Sequence, residues 1–164
     1  MPTSDAKCEK WNDPRTLKKA LGLGVRVIAA HCATPYLGGV LPADKNYFEE
    51  LIQMLRVSEK KGWKLYADIS AFCTPTRIHY LNRIREEIGR GTVRPDRFLY
   101  GSDFPIPIVN INLFKEPVNL KELLGRMEGG KNPLDNNYEI LKEFGLHDSI
   151  FTNAGDVLRI GDRA

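Results

Sequence analysis

Two hydrophobic rhythms alternate along this chain, short unbroken apolar runs and apolar positions at helical spacing. Phe98-Leu99-Tyr100 is an unbroken run that reads as a short strand buried on both faces. Gly101 and Pro105 bracket the turn that follows and leave Asp103 at the strand's carboxyl end. Val25-Arg26-Val27-Ile28-Ala29-Ala30 is a mostly apolar, β-branched strand with His31 at its carboxyl end, and Lys64 to Ile69 is another, ending in Ser70-Ala71-Phe72.

Helical patterns fill the intervals. Asp13-Pro14 supplies an N-cap and a first-turn proline, Leu17, Ala20 and Leu21 an apolar face, and Gly22 and Gly24 a stop. Asp44 or Asn46 caps a second helix whose Phe48, Leu51, Ile52 and Leu55 fall at i, i+3, i+4 and i+7. Lys60 and Lys61 are expected in its last turn, where the helix dipole favours cations, and Gly62 ends it. Thr74-Pro75 repeats the cap-plus-proline start for a third helix, with Ile78, Leu81, Ile84 and Ile88 inward and Gly89 and Gly91 at its end. The order α-β-α-β-α-β, at the spacing of right-handed βαβ units, predicts an α/β fold with a parallel sheet.

Beyond Pro105 the pattern loosens. Residues 106–119, with Pro107 and Pro117, read as a long βα loop. A short amphipathic helix is expected over Leu120 to Met127, a longer one over Leu134 to Phe144 with Ile140, Leu141 and Phe144 inward, and a last one around Asn153 to Ile160.

Composition narrows the class without naming a function. The 164 residues suit one domain, with 42% apolar and 27% charged residues. A net charge of +3, with basic and acidic residues interleaved, argues against a nucleic-acid partner. Cys8, Cys32 and Cys73 show no CxxC spacing, so free thiols in a reducing compartment are expected rather than structural zinc. Residues 1–12 form a polar segment without the apolar run of a signal peptide, and no run approaches the roughly 20 residues of a membrane span. The expectation is a cytoplasmic protein with no membrane partner.

Candidate chemistry gathers at strand ends. In an open parallel sheet or a barrel the carboxyl ends of the strands are where ligands bind. Asp103 could hold a divalent cation and accept the proton of a bound water; its plainer role is that of a turn residue tolerant of left-handed backbone. His31 ends a strand on the same rim, one strand away, either as a ligand or orienting group or as a satisfied histidine at the start of a loop. Ser70 and Phe72 are candidate pocket lining. Asp68 alternates with Ala67 and Ile69, and its direction stays open. His79, one turn into the third helix, and His147 read as surface residues, and Tyr36 is near the site by location alone. Interleaved Arg and Glu from Arg77 to Arg94 read as the solvated face of an outer helix.

The run Phe98 to Tyr100 followed by Gly101-Ser102-Asp103-Phe104-Pro105 resembles the last barrel strand of the amidohydrolase-related family of metal-dependent hydrolases and decarboxylases. Val27-Ile28-Ala29-Ala30-His31-Cys32 resembles that family's strand six, and Tyr66-Ala67-Asp68-Ile69-Ser70 its strand seven. The resemblance implies a (β/α)8 TIM barrel of about 250 residues, of which residues 13–164 would be the carboxyl-terminal half. It implies a divalent metal, zinc in first place, a small-molecule substrate, Asp103 as metal ligand and proton acceptor, and His31 as ligand or orienting group. The His-x-His pair of the family's strand one is missing here, and the chain has three histidines in all.

Three parallel strands do not close a barrel. The expected protein is therefore a metal-dependent hydrolase represented by its last three βα units, with hydrolysis or non-oxidative decarboxylation as its chemistry. A non-catalytic half-barrel that self-associates or docks on a missing amino-terminal half is the alternative, the open strands inviting association. A flavodoxin-like binding domain has the same rhythm but would want a glycine-rich phosphate loop directly after a strand, which this chain lacks.

Overall fold

The structure is a computed structural model and describes residues 12–35, 46–74, 77–103 and 132–159. Three short strands, β1 (Val27–Ala29), β2 (Leu65–Asp68) and β3 (Phe98–Leu99), form a parallel sheet in the order β1-β2-β3. Val27 pairs with Leu65, Ala29 with Ala67, and Ala67 with Phe98. Around them run α1 (Lys18–Gly22), α2 (Phe48–Ser58), α3 (His79–Gly89), α4 (Pro133–Glu143), α5 (Ser149–Thr152) and α6 (Ala154–Leu158). The α/β architecture expected from the apolar rhythm is present, with strands shorter than the runs suggested.

Local chemistry explains the element starts. The Asp13 carboxylate accepts the Arg15 N–H at 2.9 Å, and Pro14 opens a 3-10 turn that leads into α1. The N-cap of α2 is Tyr47, without a side-chain cap bond, and Asn46, one residue earlier, accepts the Phe48 N–H on its Oδ1 at 3.0 Å; Asp44 lies outside the described residues. Asn132 caps α4, with Pro133 in the first turn and Gly145 at φ +77° just past the end.

Several boundaries differ from the expectation. Helix α2 ends at Ser58, so Lys60 and Lys61 lie in the turn beyond it. Helix α3 begins at His79, which is its first residue rather than one turn inside it. The Thr74 carbonyl instead takes the N–H groups of Arg77 and Ile78, at 3.1 and 3.0 Å, in a separate turn. The expected helix at Asn153 to Ile160 is two short helices, α5 and α6. The polar segment expected over residues 1–12 (all but Asn12), Cys8, Tyr36, the loop at 106–119 and the helix at Leu120 to Met127 fall outside the described residues.

One face of the sheet builds the core. Ala29, Leu65, Ala67 and Phe98 pack with Leu21 of α1, Phe48, Leu51, Ile52 and Leu55 of α2, Leu81 and Ile84 of α3, Ile140 and Leu141 of α4, and Ile150 of α5. Each large side chain fully buried there contributes about 1.5–3 kcal/mol. Ile28, Tyr66 and Leu99, at the alternate positions of β1, β2 and β3, lie outside that core cluster. Helices α1 to α5 thus all contribute to the core on that face.

The helix face expected to be solvated is partly buried. Glu87 of α3 is fully buried, and Arg56 of α2 grips it with two hydrogen bonds of 2.6 Å. Arg83 pairs with the same carboxylate, and the Thr92 hydroxyl donates to it at 2.7 Å. The Arg56 guanidinium, foremost among these groups, holds the Glu87 carboxyl down to about 2. Arg77 is buried too, and its guanidinium donates to the Pro35 carbonyl at 3.2 Å.

Candidate functional site

All three strands run in the same direction, so their carboxyl ends share one rim, and three loops meet there. His31 follows β1, Asp68 ends β2 with Ser70 two residues on, and Asp103 follows β3. His31 and Asp103, far apart in sequence, come together with Nε2 3.7 Å from Oδ2. About a third of each side chain is exposed to solvent. This is the convergence expected from two strand ends one strand apart.

Asp68 belongs to the same cluster, which the alternation along its strand could not settle. Its Oδ1 accepts the main-chain N–H of His31 at 3.1 Å, the N–H of Ser70 at 3.0 Å and the Ser70 hydroxyl. Ser70 Oγ also lies 2.8 Å from His31 Nδ1. Ser70 is therefore tied into the site, whereas Phe72 is buried in the core and lines nothing on the rim. His79 and His147 are exposed and stand apart from the cluster.

The backbone at the rim is unusual. Among the described residues six non-glycine residues have positive φ, and five of them, His31, Cys32, Ala33, Ala71 and Asp103, belong to the loops leaving β1, β2 and β3. Left-handed backbone costs an L-residue about 1–2 kcal/mol. Such strain persists where surrounding contacts over-determine it, and it concentrates at functional sites. Here the contacts are visible: the His31 carbonyl accepts from the Thr34 N–H and hydroxyl at 3.0 and 2.7 Å, and the Cys32 thiol bonds the Asp68 carbonyl at 3.1 Å. Burial pushes the Cys32 thiol well above its ordinary range, with the Asp68 charge adding to it, so Cys32 is a packing group rather than a nucleophile.

Gly101 has a packing reason. A Cβ at this position would stand 3.1 Å from the Ser70 Cβ, tighter than most such contacts, so a larger residue would require Ser70 to give way by a few tenths of an ångström. Asn137 of α4 then steadies the next step, its side-chain amide donating to the Ser102 carbonyl at 3.4 Å.

Two chemistries can be weighed on this geometry. Ser70, His31 and Asp103 lie in the order of a nucleophile, base and orienting acid, but Ser70 is buried and its hydroxyl proton is committed to Asp68, which removes it as a nucleophile. An imidazole nitrogen and a carboxylate oxygen 3.7 Å apart can instead share a divalent cation at the usual distances of about 2.0–2.2 Å. Among the described residues no group of three His, Cys, Asp or Glu side chains is placed to hold a metal. The pair is thus two donors of a set that needs at least one more, and it does not fit a resident metal unaided. No family model, no curated protein and no solved structure matches this chain. Among the described residues, no helix is long and apolar enough to cross a membrane.

Proposed function

We propose that this chain is the carboxyl-terminal half of a (β/α)8 barrel of the amidohydrolase type, with β1, β2 and β3 as barrel strands six, seven and eight. Its reaction is hydrolysis of a C–N or C–O bond in a small molecule by an activated water. The observation that carries this reading is the meeting of His31 Nε2 and Asp103 Oδ2 at one rim of a parallel sheet. The strictly sequential strand order and the packing of α1 to α5 against one face of the sheet support it, since a barrel winds its helices on one side of the sheet only.

In this reading Asp103 accepts the proton of the attacking water, and His31 orients that water or the substrate. A divalent cation, zinc in first place, would supply the acidity of the water when bound, with its further donors coming from outside the described residues. Non-oxidative decarboxylation would use the same rim and is the nearest alternative chemistry. The buried thiols Cys32 and Cys73, unpaired in the structure, favour a reducing, cytoplasmic setting.

One observation favours a second reading, a half-barrel that pairs with another copy or with an amino-terminal half. Ile28 and Tyr66 lie outside the core cluster and are only half-buried, and Leu23 and Val25, beside the outer strand β1, are 76% and 48% exposed. A single experiment addresses both. Gel filtration of the purified chain is followed by elemental analysis beside Asp103→Ala; about one zinc per chain, lost in the variant, would mean that donors beyond the described residues complete the His31–Asp103 pair. Absence of metal from both proteins would overturn the site assignment for this polypeptide, and an associated, metal-free species would favour the second reading.

A further inference from the structure

We infer that Asp68 and Ser70 are positioning residues that hold the neutral His31 ring as its Nδ1–H tautomer, so that Nε2 offers an electron pair beside Asp103.

The ionised Asp68 carboxylate can only accept, and its Oδ1 takes the Ser70 hydroxyl proton. That leaves Ser70 Oγ with lone pairs alone to present to His31 Nδ1 at 2.8 Å. The second group facing the same nitrogen is the Ser70 carbonyl oxygen at 3.3 Å, which also only accepts. Nδ1 therefore carries the hydrogen, and the bond at one ring nitrogen sets the state of the other.

The main chain is fixed by the same oxygen. Asp68 Oδ1 accepts the His31 N–H at 3.1 Å and the Ser70 N–H at 3.0 Å, pinning both loops at the residues whose side chains meet. The left-handed turn at His31 and Cys32 then swings the ring toward the loop after β3. Across the rim, Nε2 faces Asp103 Oδ2 at 3.7 Å, one acceptor opposite another. Two acceptors do not satisfy each other; they wait for a cation or for a donor such as water or a substrate N–H. In the opposite tautomer Nε2–H would turn onto Asp103 and close the site from within. The relay from Nδ1–H through Ser70 to Asp68 keeps it open.

As a role in catalysis this rests on the hydrolase reading, but the tautomer is read on the ring without metal or substrate, so the two fail separately. The experiment uses 15N-labelled full chain carrying His79→Gln and His147→Gln, which leaves His31 as the one imidazole. Long-range 1H–15N spectra of the neutral ring are expected to show a pyrrole-type Nδ1 and a pyridine-type Nε2. Ser70→Ala is expected to lose that single pattern and give averaged shifts at both nitrogens while the amide spectrum stays folded. A starting protein with the reverse pattern overturns the inference even if Ser70→Ala does not fold. So does a folded Ser70→Ala with unchanged ring shifts.

Discussion

Two clusters of charged side chains among the described residues are opposites. Glu87 between α2 and α3 is fully buried and every contact around it is complementary: Arg56 twice, Arg83 and the Thr92 hydroxyl. His31 and Asp103 are a third exposed, their backbones are left-handed, and their facing atoms are both acceptors. One cluster is saturated and the other is poised. A buried charge that is fully paired has nothing left to offer a ligand, whereas strained residues with unmet capacity at a sheet rim do. The difference suits the first cluster to stability and, on the proposed function, the second to chemistry.

Substitutions can break that assignment. On the proposed hydrolase function, the largest effect is expected from Asp103→Asn: loss of about 10²–10⁴-fold in turnover of amide, ester or aryl-carboxylate substrates, with the melting temperature nearly unchanged. Asn tolerates left-handed backbone, so the variant removes the carboxylate without adding strain at φ +55°. Retained activity would sink the role given to Asp103.

Glu87→Ala should do the reverse, costing about 3 kcal/mol in denaturant unfolding because it leaves the Arg56 and Arg83 guanidinium groups without their buried partner. The same cluster predicts an acid limb. Glu87 titrates near the ordinary 4.5 when unfolded and at about 2 when folded, so the unfolded chain takes up the proton first. Its contribution is complete above about pH 4.5 and is lost as the pH falls toward 2, an amount on the order of 3 kcal/mol. Stability measured in Glu87→Gln across that window should fall less steeply; an identical slope would remove Glu87 from the account.

Gly101→Ala sits between the two clusters in kind, since it presses on Ser70 without touching a charge. We expect about 1–3 kcal/mol of destabilisation, measured by thermal unfolding, and a perturbed His31 environment through the displaced Ser70. The smallest effect is expected at Ala33, with φ +54°, where glycine would relieve backbone strain but loosen the unfolded chain. Ala33→Gly should stabilise by less than about 1 kcal/mol. A clear loss of stability there would mean that the left-handed turn is not strained.

Much of this was readable from residue order alone, and the failures have a common cause. Phe98 with Gly101, the face Phe48-Leu51-Ile52-Leu55, and the inward set Ile140, Leu141 and Phe144 were legible because period and punctuation are local properties. The meeting of His31 and Asp103 followed from two parallel strands ending on one side. Asp68 was not legible: alternation separates it from Ala67 and Ile69, but which face the helices cover is decided by packing. Glu87 carried a signal that composition obscured, since it lies three residues beyond Ile84 on the inward stripe, where its charge suggested solvent. The start of α3 was missed because the Thr74 carbonyl takes the N–H groups of Arg77 and Ile78 in a separate turn, and the helix begins only at His79.

The Tyr100 N–H, just past β3, donates to the Ile150 carbonyl in α5 at 2.8 Å, and the Asn153 side chain donates to the Asp96 carbonyl. The last strand is thus clasped by a helix that comes much later in the chain. Deuterium uptake at the Tyr100 amide would therefore report undocking of the carboxyl-terminal helices, and an emerging polypeptide would lack this protection until residue 150 had left the ribosome.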